Sequence, residues 1–336
     1  MKRNRATAQN ATRRQLLIGA TLASGLVALP GLAGATTNAP SGKPFKIVVP
    51  FPPGGTVDTV TRLLSTPFSD AIGQTVIVDN RGGAGGTIGA RYVSQTAPDG
   101  QTILLTASNQ VINPLILRSV PYDPVKDFTP ICYIGYVPQL VLVKSDFPAN
   151  TFEEFVSMAR NKPGELTWAT SGLGTAGHFA EELIKMQGNL QMNIVPYRGG
   201  GPALMDLIAG HVTAMVEPVP SAMPHVQSGR LKVLAVTSPQ RAASLPNVPT
   251  VAESGMPGFE LPSWYGIWGP AGLSEETTNK IYQGIKKALQ SEDLTSKLNA
   301  LSFVSVAAPP ADFEKFIRTE TDKYAKIVKT AGIVID

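Results

Sequence analysis

Cysteine is almost absent from this sequence. Cys132 stands alone among 336 residues, so no intramolecular disulfide can staple the fold. Its setting, Ile131-Cys132-Tyr133-Ile134, is apolar and strand-like, and reads as a buried structural thiol rather than a nucleophile. Histidine is nearly as scarce, and His178, His211 and His225 are too separated in sequence to suggest a metal cluster. Neither G-x-S-x-G, S-x-x-K nor H-E-x-x-H occurs, so no motif supports a hydrolase. No apolar run approaches the ~20 residues of a membrane-spanning helix. The body of the chain lacks runs of Lys and Arg, and its few aromatics are scattered, which leaves no footprint for nucleic acid.

What is present begins with a leader. Lys2, Arg3, Arg5, Arg13 and Arg14 precede a short apolar run at 16–29, and Ala33-Gly34-Ala35 supplies an A-x-A cleavage site. Residues 1–35 therefore read as a signal peptide that is removed, and Thr12-Arg13-Arg14-Gln15-Leu16-Leu17 fits a twin-arginine export pattern. No cysteine follows the apolar run, which argues against a lipoprotein anchor. The whole chain carries 29 basic and 25 acidic residues, and the leader holds five of the basic ones and none of the acidic. Its removal leaves 24 against 25, so the basic excess belongs to the leader and says nothing about partners.

Strand-like runs alternate with helical spacing through the rest of the chain. Strands are predicted at 46–49, 75–79, 102–106, 130–134, 140–144, 166–169, 193–196, 214–216 and 231–236. Helices are predicted over about 274–290 and 312–330. The alternation argues for α/β layers with mainly parallel sheets. The strand at 140–144 reads as the exit from a first lobe, and Trp264-Tyr265-Gly266-Ile267-Trp268, between Pro262 and Pro270, as the return. Two crossings imply a hinge and a cleft. The expected lobes are 44–140 with 262–336, and 141–261.

Three glycine-rich loops carry the chemistry. In Val49-Pro50-Phe51-Pro52-Pro53-Gly54-Gly55-Thr56-Val57-Asp58 a strand ends at prolines that forbid helix and ladder, and Thr56 can cap a following helix. Such a turn aims free backbone N–H groups at an anion, and the absence of Lys or Arg in the loop suggests a carboxylate. Asp58 is better explained as stabilising the helix start than as a ligand contact. Thr170-Ser171-Gly172-Leu173-Gly174-Thr175-Ala176-Gly177-His178 repeats this arrangement in the second lobe. His178, at the helix start, is more readily a structural hydrogen-bonding residue than a base. The third loop, Tyr197-Arg198-Gly199-Gly200-Gly201, offers Arg198 as a carboxylate fork or a rim charge. Glu217 ends the strand at 214–216, where it either faces the cleft to meet an amino or hydroxyl group or stands exposed. The run Asn80-Arg81-Gly82-Gly83-Ala84-Gly85-Gly86-Thr87-Ile88-Gly89 does not match G-x-G-x-x-G. It reads as a tight loop with a close-packed helix start, Gly89 allowing the approach.

These blocks, together with Ala97-Pro98-Asp99-Gly100, Leu245-Pro246-Asn247-Val248-Pro249-Thr250-Val251-Ala252-Glu253 and the stretch 264–270, resemble the Bug-type solute-binding proteins, the extracytoplasmic receptors of tripartite tricarboxylate transporters. The resemblance runs in order along nearly the whole chain after the leader. It implies a type II periplasmic-binding-protein fold, with two lobes of mixed sheets closing on a small carboxylate at the hinge. Arg198 and Glu217 depart from the Lys and Asp that are common in the family. The candidate ligand-binding set is Phe51, Pro53, Gly54, Gly55, Thr56, Asp58, Ser171, Gly174, Thr175, His178, Arg198 and Glu217, with no catalytic residue, metal or cofactor. The expected partners are a small carboxylate and the membrane permease subunits of such a transporter, or alternatively a sensor kinase, with the receptor a periplasmic monomer. A secreted hydrolase is the remaining alternative.

Overall fold

The computed structural model describes residues 42–197 and 199–333. The expected leader therefore lies outside the described residues, as does Arg198. The first sheet is entered by β1 (Phe45–Val49), β2 (Val76–Asn80), β3 (Thr102–Ala107) and β4 (Phe128–Val137). The second is built from β5 (Gln139–Lys144), β6 (Thr167–Thr170), β7 (Asn193–Pro196), β8 (Ala214–Pro218) and β9 (Leu231–Val236). The chain then returns to the first sheet with β10 (Ser263–Pro270) and β11 (Val304–Ala308). Strand order is β11-β4-β10-β3-β1-β2 in one sheet and β7-β6-β8-β5-β9 in the other. This is a two-lobed α/β architecture of the periplasmic-binding type.

Helices cover both faces of each sheet. The first four are α1 (Thr56–Ile72), α2 (Thr87–Ser94), α3 (Asn109–Ile116) and α4 (Phe152–Asn161). They are followed by α5 (Ala176–Gly188), α6 (Gly200–Ala209) and α7 (Val219–Gln227). The last three are α8 (Glu275–Leu289), α9 (Glu292–Ala300) and α10 (Pro310–Ala331). In β1, Ile47 and Val49 join one buried cluster and Val48 joins the other. A strand apolar on both faces can exist only where both faces are covered. Helix α1 shows the matching stripe, burying Val57, Val60, Leu64 and Phe68, and it stops at Gly73 in the left-handed region (φ 65°). Cys132 is fully buried, and burial pushes its thiol pKa up to about 12, as its apolar setting predicted.

The sheets are mixed rather than mainly parallel, and the crossings explain why. Strands β1, β2 and β3 are mutually parallel, as are β6, β7 and β8. Strand β4 leaves the first lobe through Pro138 alone, so β5 must start at the hinge and run away from it. It is accordingly antiparallel to β8 and β9. The same holds for β10, which enters from the hinge and lies antiparallel between β3 and β4. The two crossings are tied together at Gln139. Its backbone carbonyl accepts from Thr237 N (2.9 Å), and its Nε2 donates to Leu261 O (2.9 Å). The edge strand β11 and helix α9 are not among the predicted elements, although Leu294 and Leu298 stand at helical spacing and Val304-Ser305-Val306 alternates. In β11 all three of these residues are exposed.

All eight residues of β10 are buried. At Gly266 a Cβ would lie within 3.0 Å of Phe313 and Trp268, both fully buried. Gly266→Ala is therefore expected to lower stability by about 1–3 kcal/mol through overpacking, measured by denaturant unfolding. An unchanged midpoint would show that α10 can slide to admit the methyl group.

Candidate functional site

Because β5 and β10 run away from the hinge, the parallel strands run toward it. Most helices that follow one of those strands then start at the cleft. A cavity of about 360 Å³ lies there. Its wall includes the first residues of α1 and α3 from one lobe and of α5 and α6 from the other, together with Pro218 just before α7. Helices α4 and α8, which follow the two outgoing strands, start elsewhere. Among the described residues, no Lys or Arg lines the cavity. The N-termini of α1, α3, α5 and α6 supply its positive potential through unsatisfied N–H groups, each end worth roughly half an elementary charge. Helix α7 instead gives Val219 N to Pro138 O (3.1 Å) and has Pro220 next.

The opening loop is held by an internal network. Asp58 is buried, and its Oδ2 accepts from Gly54 N (2.9 Å) and Arg62 Nε (3.0 Å), while Oδ1 accepts from Asn80 Nδ2 (2.9 Å). Asn80 also donates to Phe51 O (3.1 Å), tying the end of β2 to the loop. Burial opposes the charge on Asp58, but the hydrogen bonds from Arg62, Gly54 and Asn80 outweigh it and hold its carboxyl below the ordinary value. Gly54 N–H is thus already given to Asp58. The Gly54 amide, expected to face an anion, is turned to Asp58 instead, and the residues of the α1 start that line the cavity are Gly55, Thr56 and Val57. Gly89 acts as expected, since a Cβ there would come within 3.0 Å of Pro50 and of Arg81 O. Arg81 pairs with Asp79 (2.9 Å) and lies 3.5 Å over the Tyr92 ring, outside the cavity.

The second loop is organised by a similar rule. Thr175 Oγ1 caps α5 by accepting from His178 N (3.2 Å), and donates to Gly172 O (2.8 Å). Gly174 N donates to His178 Nδ1 (3.2 Å), so that nitrogen carries no proton. Burial, with Lys185 adding to it, lowers the His178 pKa to about 4. From the opposite lobe Asn109 Nδ2 donates to Gly174 O (3.2 Å). Gly174, at φ 80°, has no room for a Cβ against Ile116. His178 and Gly174 therefore shape the loop and seat it on the other lobe, and neither lines the cavity. Phe51, Pro53, Gly55, Thr56, Ser171, Thr175 and Glu217 do line it.

Glu217, at 5 % exposure, ends β8 against the first turn of α6, where a Cβ on Gly200 would meet its carboxyl. Its Oε1 accepts from Ser221 Oγ (2.7 Å), and Oε2, shielded from solvent, accepts no hydrogen bond. Burial raises its pKa to about 7, against the hydroxyls of Ser221 and Ser171, which favour the charged form. A second compartment of about 440 Å³ shares Gly55, Thr56, Gly200 and Glu217 with the first and adds Gly54 and Ser221.

The sequence reading missed Ser108 and Asn109 at the start of α3, and Gln139, Ser263 and Tyr265 on the crossing strands. The first pair was discoverable, since Ala107-Ser108-Asn109 follows a strand as the other loops do. The crossing residues reach the cavity only through the topology.

The family profile described as the tripartite tricarboxylate transporter family receptor matches residues 60–333. BugT of Bordetella pertussis (strain Tohama I) is 32 % identical over 325 residues, spanning 96 % of this chain and 98 % of BugT. Among solved structures, Rpa4515 of R. palustris with adipate is 35 % identical with a TM-score of 0.79, covering 86 % of this chain and 97 % of its own. MatC (Rpa3494) of Rhodopseudomonas palustris with bound malate is 30 % identical with a TM-score of 0.74, covering 84 % and 98 %.

Replacing Asp58 by Ala is expected to cost about 1–3 kcal/mol and to speed hydrogen exchange at Gly54 N–H. Slow exchange at Gly54 in that variant would show that the loop holds without its acceptor. His178 gives a pH dependence. Its folded pKa lies below the unfolded value near 6.5, so its contribution is complete above about pH 6.5 and is lost as pH falls toward 4. The loss amounts to about 3 kcal/mol. His178→Asn, which keeps an acceptor near the Nδ1 position, should flatten that part of the stability profile in urea titrations. A profile identical to the wild type would exclude His178 as its source.

Proposed function

This chain belongs to the tripartite tricarboxylate transporter receptor family, and on that premise we propose that it is a periplasmic solute-binding receptor. It captures a small carboxylate in the cleft and hands it to the membrane permease subunits of a tripartite tricarboxylate-type transporter. The observation that carries the reading is the convergence of four helix N-termini on a cavity in whose wall, among the described residues, there is no Lys or Arg. Such a site suits an anion whose oxygens can be shared among several weak donors. Adipate and malate, each present in a related structure, set the size class: acids of four to six carbons. Among the described residues no helix is long and apolar enough to cross a membrane. A periplasmic address rests on the leader at 1–35 and on the periplasmic relative BugD.

In this mechanism one ligand carboxylate docks at Gly55 and Thr56 on the start of α1. The other polar end meets Ser171 and Thr175 on the start of α5. The lobes, taken as 44–140 with 262–336 and as 141–261, close because a ligand spanning both helix starts favours the closed state. Bridging water completes the shell around oxygens that no side chain reaches.

A panel of succinate, malate, adipate and citrate, followed by thermal melting, is expected to raise the midpoint in a concentration-dependent way for at least one acid. The role of α1 is tested by Thr56→Pro. Thr56 is the first helical residue and follows Gly55 at φ −79°, ψ 171°, a setting that admits proline. The substitution removes one N–H and one hydroxyl while keeping the helix. Affinity should fall about tenfold or more, with little change in the ligand-free melting point. Unchanged affinity would remove the α1 start from the site.

A further inference from the structure

Glu217 is the one ionisable acid in the cavity wall, and its carboxyl is only half satisfied. Oε1 is committed to Ser221 Oγ at 2.7 Å, whereas Oε2 is cut off from solvent and accepts nothing. Among the described residues, no cation lines either compartment to pair with it. The groups that face it from the packed elements offer no such charge. Helix α5 brings Glu181, fully buried, whose Oε1 accepts from Val216 N (3.1 Å). Its carboxyl lies well above the ordinary range, chiefly through burial, with Glu217 as a lesser cause. Strand β10 brings Tyr265, whose phenol is raised to about 12, first by burial, with Glu217 again a lesser cause. Helix α7 brings the Ser221 hydroxyl and the second loop that of Ser171. Helix α6 brings only its N-terminal backbone at Gly200.

Resting on the carboxylate-receptor reading above, we propose that an anionic ligand enters this cleft together with one proton, which is taken from the solvent onto Oε2 of Glu217. In the ligand-free cleft the carboxyl is poised between its two forms. Burial favours the neutral acid, while the α6 N-terminus and the two serine hydroxyls favour the carboxylate. An incoming carboxylate adds a like charge in a low-dielectric space that holds no paired cation, which shifts the balance to the neutral acid. The proton falls on Oε2 because Oε1 already accepts from Ser221. No other bond is made or broken: one proton leaves the solvent, and Glu217 changes from acceptor to donor. The O–H then has an acceptor at hand in the ligand carboxylate. A fixed acid that would repel the ligand thereby becomes part of what recognises it.

The linkage has a definite sign. Glu217 has a higher pKa in the complex than in the free protein, so binding is tightest below the free value of about 7 and weakens as pH rises above it. Isothermal calorimetry with malate and adipate, in buffers of different ionisation enthalpy, is expected to show net proton uptake at about pH 7.5 for whichever acid binds. The dissociation constant should rise about tenfold between pH 6 and pH 8. Glu217→Gln, which fixes this position in a neutral form, should lose the uptake and flatten the pH profile. Binding by the wild-type protein without proton uptake would overturn the proposal and leave the receptor reading intact, whether or not the variant folds. No binding at pH 6 of any acid of the melting panel, malate and adipate included, would overturn the receptor reading and the proposal with it.

Discussion

The direction in which the chain crosses the hinge decides nearly everything else. A strand that starts at the hinge can only run outward, so β5 and β10 set an outward polarity in the middle of each sheet. The strands antiparallel to them, and those parallel to these in turn, run inward, and most of the helices that follow begin at the cleft. The anion-binding character proposed for the cavity is therefore a property of topology before it is a property of any side chain. Gln139 shows how little is needed to fix the geometry. One residue, hydrogen-bonded through its backbone to Thr237 and through its side chain to Leu261, joins the outgoing crossing to the returning one and also reaches the cavity wall.

Topology places the helix starts, but loops of glycine and proline would not hold them in register unaided. Each lobe answers with a buried side chain that accepts a loop amide four residues upstream: Asp58 from Gly54 N, and His178 from Gly174 N. The cost is one potential ligand donor per loop. The gain is a loop whose remaining N–H groups are fixed before a ligand arrives, so less ordering entropy opposes binding. The two acceptors differ in charge for a reason visible in their surroundings. Asp58 collects three donors, including Arg62, and stays ionised, while His178 is sealed among apolar groups and stays neutral.

Much of this was legible in the sequence. The two strands at 193–196 and 231–236 coincide with β7 and β9, because β-branched runs bounded by turn residues leave little freedom in their ends. The two strand-to-helix turns at 53–58 and 171–178 were found for the right physical reason, strands ending in glycine-rich helix starts. The division of labour within them was not. Whether Gly54 N–H faces a ligand or Asp58 depends on a side chain four residues away adopting one rotamer, which no local pattern encodes. The start of α3 was overlooked because Ser108-Asn109 lacks the glycines that drew attention to the other turns, although the same strand-to-helix logic applies. The antiparallel crossings were hidden behind alternation, which reports layers and not direction.

A site made of helix ends and a buried acid looks self-opposing if its charges are regarded as fixed. Helix dipoles cannot be switched off, and roughly half a charge at each of four ends gives the cleft an excess of positive potential. A guanidinium would add to that excess and commit the site to one anion position. An acid poised between two protonation states does the opposite. Ionised, Glu217 answers the helix ends when the cleft is empty; neutral, it stands aside when a ligand brings its own charge. The negative charge of the cavity then never exceeds what the converging N–H groups can satisfy. This requires the carboxyl to be buried enough to stay close to its titration point and yet held by a single committed hydrogen bond, and Ser221 on Oε1 with a bare Oε2 meets both conditions.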